Sequence, residues 1–182
     1  MTEPLLISSY NSPCGALMLG ALGEELVLCD WADGWHRQAT ENRIKRLLKA
    51  PVLEGTSPVI ERAAKELDEY FAGTRTSFDV PVRLVGTAFQ LEVWEALKTI
   101  PYGVTDTYGG IAAKIGRPKA VRAVGNAVGA NPISVIVPCH RILGTGGAIT
   151  GYGGGYDAKR LLLRLEKIAF IDTPAARARK EA

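Results

Sequence analysis

With 182 residues, 47% of them hydrophobic and 23% charged, the chain is long enough to bury a core in one ordinary domain or two small ones, and its composition excludes a disordered or fibrous protein. A net charge of +3 allows a nucleic-acid partner without requiring one. The N-terminal Met1-Thr2-Glu3-Pro4 is no cationic lead into an apolar run, and no stretch approaches the roughly eighteen apolar residues of a membrane span, so neither secretion nor membrane insertion is expected.

The first part, to about Leu84, predicts a small sheet with two helices. Leu5-Leu6-Ile7, Ala16-Leu17-Met18-Leu19 and Leu26-Val27-Leu28-Cys29 are each bounded by Gly, Pro, Asn or Asp, the punctuation of short antiparallel strands. Ile44, Leu47 and Leu48 recur at helical spacing and predict a helix over 39–48, leaving Arg37, Arg43, Lys45 and Arg46 to solvent. A second helix is signalled by Ser57 as N-cap, Pro58 at the first helical position, an apolar face of Ile60, Ala64, Leu67 and Phe71, and Gly73 at its end. Ser77 to Leu84 reads as a returning strand.

From Gly86 the pattern becomes helical. Thr87-Ala88-Phe89-Gln90 is a capping box, followed by a stripe of Phe89, Val93, Trp94 and Leu97 that ends near Ile100-Pro101. Thr107 can cap a short helix through Ile115, and Pro118 can open another to Val128. The turn Gly116-Arg117-Pro118-Lys119 between them suits a helix-turn-helix, though helical bundles use such turns too. The β-branched run Ile133-Ser134-Val135-Ile136-Val137 predicts a buried strand stopped by Pro138. The Gly-rich stretch 151–156 is either a loop whose backbone something approaches closely or a flexible linker. It leads into a helix capped by Asp157, with Leu161, Leu162, Leu165 and Ile168 facing inward. The expectation is an α+β chain: a small antiparallel sheet with helices over 1–85, a mainly helical winged helix-turn-helix-type domain over 86–172, and a flexible tail over 173–182.

Three cysteines, Cys14, Cys29 and Cys139, are odd in number and widely spaced, which points to a reducing cytoplasm. Cys14, Cys29 and His36 lack the usual zinc spacing, and a lone strand cysteine is more often a small buried hydrophobe, so no metal is expected. Pro138-Cys139-His140-Arg141 is the most pointed chemical feature. A thiol is a nucleophile only as thiolate, and a neighbouring imidazole could raise that fraction. In an extended segment the two side chains would point to opposite faces, so the pair works only if the chain turns there or water bridges it. A core cysteine beside a surface histidine is the bland alternative. A papain-like hydrolase would need a distant histidine, and His36 is the other histidine of the chain.

The surroundings of that pair resemble the O6-alkylguanine-DNA alkyltransferases, especially the bacterial single-chain type. The likeness runs from Gly86 to Glu166 through Thr87-Ala88-Phe89-Gln90, Val93-Trp94, Ile100-Pro101-Tyr102-Gly103, Tyr108, Arg122-Ala123-Val124-Gly125, Asn131-Pro132-Ile133, Ile136 to Arg141, and Gly151-Tyr152 to Gly155. Asp68-Glu69-Tyr70-Phe71-Ala72-Gly73 resembles the family's variable N-terminal domain less specifically.

The resemblance implies that Cys139 accepts the alkyl group, that His140 lowers its proton affinity through a bound water, and that Glu166 orients the histidine. It implies that Asn131 ties the hinge before the active-site segment, that Arg122 fills the gap left by a flipped nucleotide, and that Tyr108 presses on its phosphate and protonates the leaving base. Lys119, Ala123 and Gly125 would belong to the helix laid in the minor groove. Tyr152, Gly153, Gly154 and Ile142 would line the guanine pocket. Relatives often carry Ser or Ala where this chain has Gly153, which implies a roomier pocket. The implied reaction is a single-turnover transfer from O6-alkylguanine, and from O4-alkylthymine, in double-stranded DNA, by a monomer without cofactor. A lesion-binding relative that lacks the acceptor cysteine, and a winged-helix transcription factor, are the rival readings.

Overall fold

The computed structural model describes residues 2–178, and residues 179–182 of the expected tail lie outside the described residues. The chain divides into two compact units, Met1–Gly86 with Pro132–Ile136, and Thr87–Asn131 with Val137–Ala182.

In the first unit β1 (Leu5–Ser12), β2 (Gly15–Leu22) and β3 (Glu25–Trp31) are antiparallel, as their alternation predicts. Gly23, at φ 60, makes the two-residue hairpin turn between β2 and β3. Gly20 is required by close approach, since a Cβ there would lie 2.9 Å from Leu28 Cβ. The sheet is mixed rather than purely antiparallel. After α1 (Arg37–Leu48), a three-residue β4 (Val52–Glu54) pairs parallel to β1, giving the order β3-β2-β1-β4. Such a short strand has no periodicity to read.

Two helical faces differ from expectation. In α1 the buried residues are Thr40 and Ile44, while Leu47 is 47% exposed. In α2 (Pro58–Phe71) the buried face is Val59, Ile60, Ala63, Leu67 and Tyr70, one residue round from the expected stripe, and it includes Glu66. Ser57 caps α2 as expected, accepting from Ile60 N. Glu66 explains why Ser77 to Leu84 is not a strand: its carboxylate accepts the N–H groups of Asp79 and Val80 at 2.8 and 3.0 Å. Pro81 has no N–H to give, and a single bridge, Leu26 to Val82, remains.

The run 133–137 is not a strand either. Cys29 N donates to Pro132 O and Ser134 N to Cys29 O, a one-residue bridge against β3. Val135 then takes φ 70 beneath an Ile136 N to Ser134 O bond, a γ-turn of positive φ that is strained for a β-branched residue.

The second unit contains α3 (Ala88–Lys98), β5 (Asp106–Thr107), α4 (Tyr108–Lys114), α5 (Val121–Gly129), β6 (Ile142–Leu143), α6 (Gly155–Leu165) and α7 (Pro174–Ala178). The capping box at Thr87 and Gln90 is complete. Trp94, fully buried, donates Nε1 to Ala127 O at 2.7 Å and locks α3 to α5. Truncating such a side chain costs about 3–5 kcal/mol. Thr107 caps α4 by accepting from Gly110 N, and α4, the turn and α5 form the helix-turn-helix. Helix α5 begins at Val121 rather than Pro118, so Lys119 sits in the turn.

The cap of α6 is Gly154, and Asp157 lies in its first turn, bonded to Arg160. Its buried face carries Ala158, Lys159, Arg160, Leu162 and Leu163, so of the expected inward set Leu162 and, just past the helix, Ile168 are buried, Leu161 and Leu165 are half-buried, and two cations join the buried face. Arg160 also corrects the expectation of a flexible tail from 173. It grips Asp172 and donates to Ala176 O at 3.0 Å, which fixes α7 with Ala176 fully buried. Among the described residues, no helix is long and apolar enough to cross a membrane.

Candidate active site

Asn131 follows α5 and is 1% exposed. Its Nδ2 donates to Val137 O at 2.9 Å, and the same carbonyl accepts Cys139 N at 2.8 Å. With Pro138 at φ −82 and ψ 60, the latter bond closes an inverse γ-turn. The chain therefore turns where the sequence leaves turning or extension open. Cys139–Arg141 form a 3-10 turn in which successive side chains diverge by about 120° instead of pointing to opposite faces. Cys139 keeps 6% of its surface in solvent and His140 none.

His140 and Glu166 are brought together, His140 Nε2 lying 2.8 Å from Glu166 Oε1. Glu166 caps the C-terminus of α6 and is 3% exposed. A carboxylate accepts, so the imidazole carries its proton on Nε2 and its lone pair on Nδ1. Burial pulls the His140 pKa down, and the Glu166 bond opposes that. The ring is thus held neutral, in the form that can take a proton.

Sequence reasoning gave Arg141 no role, yet it binds the same carboxylate twice, donates Nη1 to Ile100 O at 2.6 Å, and is joined there by Gly103 N, 3.1 Å from Glu166 Oε2. Its place in the Pro-Cys-His-Arg run was the available signal.

β5 and β6 pair in parallel, Asp106 with Ile142 and Thr107 with Leu143, which sets the start of α4 beside the segment leaving the 3-10 turn. Tyr108 is thereby placed with its hydroxyl 2.8 Å from Thr150 Oγ1. Thr150 in turn accepts from Lys159 Nζ at 3.0 Å, and Lys159 donates to Ile142 O at 2.7 Å. Neither Thr150 nor Lys159 is singled out by the sequence, because a lysine at helical spacing reads as solvated. Ile142 is fully buried, so its side chain backs the site from the core instead of lining an open wall.

Arg122 and Ala123 are exposed on α5, as is Lys119 in the turn before it. Gly125 lies against the Tyr108 ring, where a Cβ would sit 3.7 Å from Cδ1. Tyr152, Gly153 and Gly154 are half-buried in the loop entering α6. Among the described residues no group of three His, Cys, Asp or Glu could hold a metal. His36 Nε2 instead faces Asp30 Oδ1 at 3.2 Å, and Cys14 Sγ lies 3.5 Å from Ser12 Oγ.

Two family models match nearly end to end: the 6-O-methylguanine DNA methyltransferase ribonuclease-like domain over residues 5–84, and the DNA-binding domain of the same proteins over 88–168. The chain belongs to the 6-O-methylguanine DNA methyltransferase family. This family member is 42% identical over 176 residues to the methylated-DNA–protein-cysteine methyltransferase of Haemophilus influenzae, covering 92% of the chain and 89% of that protein. To the protein of the same name from Methanosarcina acetivorans it is 44% identical, covering 86% and 95%. Among solved structures, the Mycobacterium tuberculosis OGT in complex with DNA aligns at a TM-score of 0.76 and 44% identity, covering 89% of this chain and 92% of that one.

Proposed function

We propose that this chain repairs DNA by moving an alkyl group from O6 of guanine, and from O4 of thymine, onto Cys139 in one irreversible step. The observation that supports the reading most directly is the Glu166-bound neutral His140 next to Cys139 on a tight turn. His140 Nδ1 takes the thiol proton by way of solvent, and Glu166 stabilises the imidazolium that forms. The thiolate attacks the alkyl carbon, a carbon–sulfur bond forms, and the carbon–oxygen bond breaks with its electron pair left on guanine. Tyr108 protonates the departing base. A thioether is stable to ordinary redox chemistry, so each molecule acts once and needs no cofactor.

The substrate atom is inaccessible within stacked duplex DNA, so the nucleotide must rotate out at a cost of a few kcal/mol. Exposed Arg122 fills the gap, while Lys119, Ala123 and Gly125 bring α5 to the minor groove. Tyr152, Gly153 and Gly154 wall the base pocket. The protein acts as a monomer on double-stranded DNA, in the cytoplasm.

Incubation with O6-methylguanine duplex followed by intact-mass measurement tests this directly. One methyl per chain is expected, with none on Cys139→Ser, which still binds the duplex. Binding without mass gain by the unmodified protein would favour a lesion-binding role and overturn transfer.

A further inference from the structure

Arg141 is 6% exposed and has no part in the chemistry derived above, yet its charge lies against the residue that orients the base. Glu166 Oε1 accepts from His140 Nε2 at 2.8 Å and from Arg141 Nη2 at 2.9 Å, while Oε2 accepts from Arg141 Nε at 2.9 Å and from Gly103 N at 3.1 Å. We propose that Arg141 is a positioning residue for the transfer: by taking up the charge of Glu166, it lets that carboxylate orient His140 without converting the ring to an imidazolium before the thiol proton arrives. The inference rests on the alkyl-transfer reading and adds to it the residue that sets the resting state of the base.

Charge supplies the need. A buried carboxylate touching an imidazole favours the charged ring, since an opposite charge within about 4–6 Å stabilises the cation. Such a ring would hold a proton at rest and could take none from Cys139. Glu166 is 3% exposed, so little water is at hand to weaken that attraction. With Arg141 in the fork the pair sums to zero charge, and His140 meets a hydrogen-bond acceptor more than an anion. Its Nε2 proton is still fixed by the bond to Glu166, so orientation survives while the pull toward the cation is reduced.

The surroundings keep Arg141 in place. Nη1 donates to Ile100 O at 2.6 Å, and the guanidinium carbon lies 5.8 Å from the centre of the Tyr102 ring. Tyr102 in turn donates its hydroxyl to Leu165 O at 3.1 Å, one residue before Glu166. The 100–103 turn thereby holds both members of the pair. A guanidinium offers donors in a plane and no acceptor, so it supplies charge and hydrogen bonds here without competing for the proton. The electrostatics agree in sign: burial lowers the proton affinity of His140, Glu166 raises it, and the Arg141 charge lowers it again. Lys159 on α6 acts on the ring in the same direction as Arg141, and Cys139, beside it in the turn, is the proton source.

Imidazole 15N NMR of the full chain reads the ring directly, with His36→Gln assigning the two histidines. The unmodified protein should show His140 neutral at neutral pH, protonated on Nε2, and titrating below the ordinary 6.5. Arg141→Met should move that titration to higher pH. Arg141→Lys keeps the charge without the fork, and should titrate near the unmodified protein even though its stability stays lowered. That contrast separates a charge effect from a merely structural one. In single-turnover transfer from O6-methylguanine duplex, Arg141→Met should be slower by about 10-fold at about pH 6 and recover as pH rises, its acid limb moving with the titration. An imidazolium at neutral pH in the unmodified protein, an unmoved titration in Arg141→Met, or an equal displacement in Arg141→Lys overturns the proposal. A protein that gains no methyl while His140 titrates as expected defeats the transfer reading instead, a different outcome.

Discussion

Arg141 and Glu166 form a doubly bonded ion pair, Nε to Oε2 and Nη2 to Oε1, both at 2.9 Å, with side chains 8% and 0% exposed. The same carboxylate holds His140 and Gly103 N. Removing one member of a buried pair leaves the other charge uncompensated, at a cost of about 3–5 kcal/mol. Arg141→Met should therefore lower unfolding free energy by that order in denaturant titration, and Arg141→Lys should rescue little because an ammonium cannot make the fork. A loss below about 1 kcal/mol for Arg141→Met would place the pair among weak surface contacts.

Glu166→Gln keeps the shape of the acceptor and removes its charge. The imidazolium formed when His140 takes the thiol proton then loses its stabilising partner. Transfer should slow by about 10- to 100-fold, while duplex binding in a Cys139→Ser background stays within experimental scatter. Quench-flow rates with methylated duplex measure this. An unchanged rate would remove Glu166 from the proton path.

The buried His140 makes stability fall in acid. Its folded pKa lies below the ordinary 6.5 because burial disfavours the cation. Above 6.5 both folded and unfolded chains are neutral there, and the group contributes no slope. As pH drops through 6.5 the unfolded chain binds a proton that the folded chain refuses, so stability declines until the folded pKa is reached. Unfolding midpoints should drop as the pH falls below about 6.5, less steeply in His140→Gln. Identical slopes in the two proteins would count against a neutral buried ring.

Lys159 should add a signature of the same sign on the alkaline side. Its folded pKa of about 8 lies below the ordinary 10.5, so between these values the unfolded chain holds the extra proton and stability rises with pH. The full difference is on the order of 3 kcal/mol. Subtracting the stability profile of Lys159→Met isolates it; a flat difference from pH 8 to 10 would mean that the amine titrates normally.

Gly153 has no Cβ to narrow the loop that enters α6, and the pocket should accept groups larger than methyl. Competition between benzylguanine and methylguanine duplexes is expected to show comparable rates for this chain and a shift toward methyl in Gly153→Ser. Strong methyl preference in the unmodified protein would refute the roomier pocket.

Much of this was legible from local signals. Ser57, the Thr87 and Gln90 box and Thr107 cap the helices they were expected to cap, because an N-cap bond spans three residues and is written in the sequence. The partnership of His140 with Glu166 came from resemblance, since nothing local joins residues 26 apart. The strands expected at 77–84 and 133–137 failed for one physical reason: their backbone groups found other partners, the Glu66 carboxylate in one case and γ-turns in the other.

The sequence by itself determined where helices start, which residue types could supply a nucleophile, and the single Cys-His juxtaposition on which the chemistry turns. Tertiary structure alone decided that the chain bends at Pro138, that Arg141 shares Glu166 with His140, and that Lys159 reaches Thr150, itself bonded to Tyr108, from inside the core. Capping and periodicity are properties of a few consecutive residues. The acidity of a buried group depends on what surrounds it, and those surroundings are drawn from distant parts of the chain.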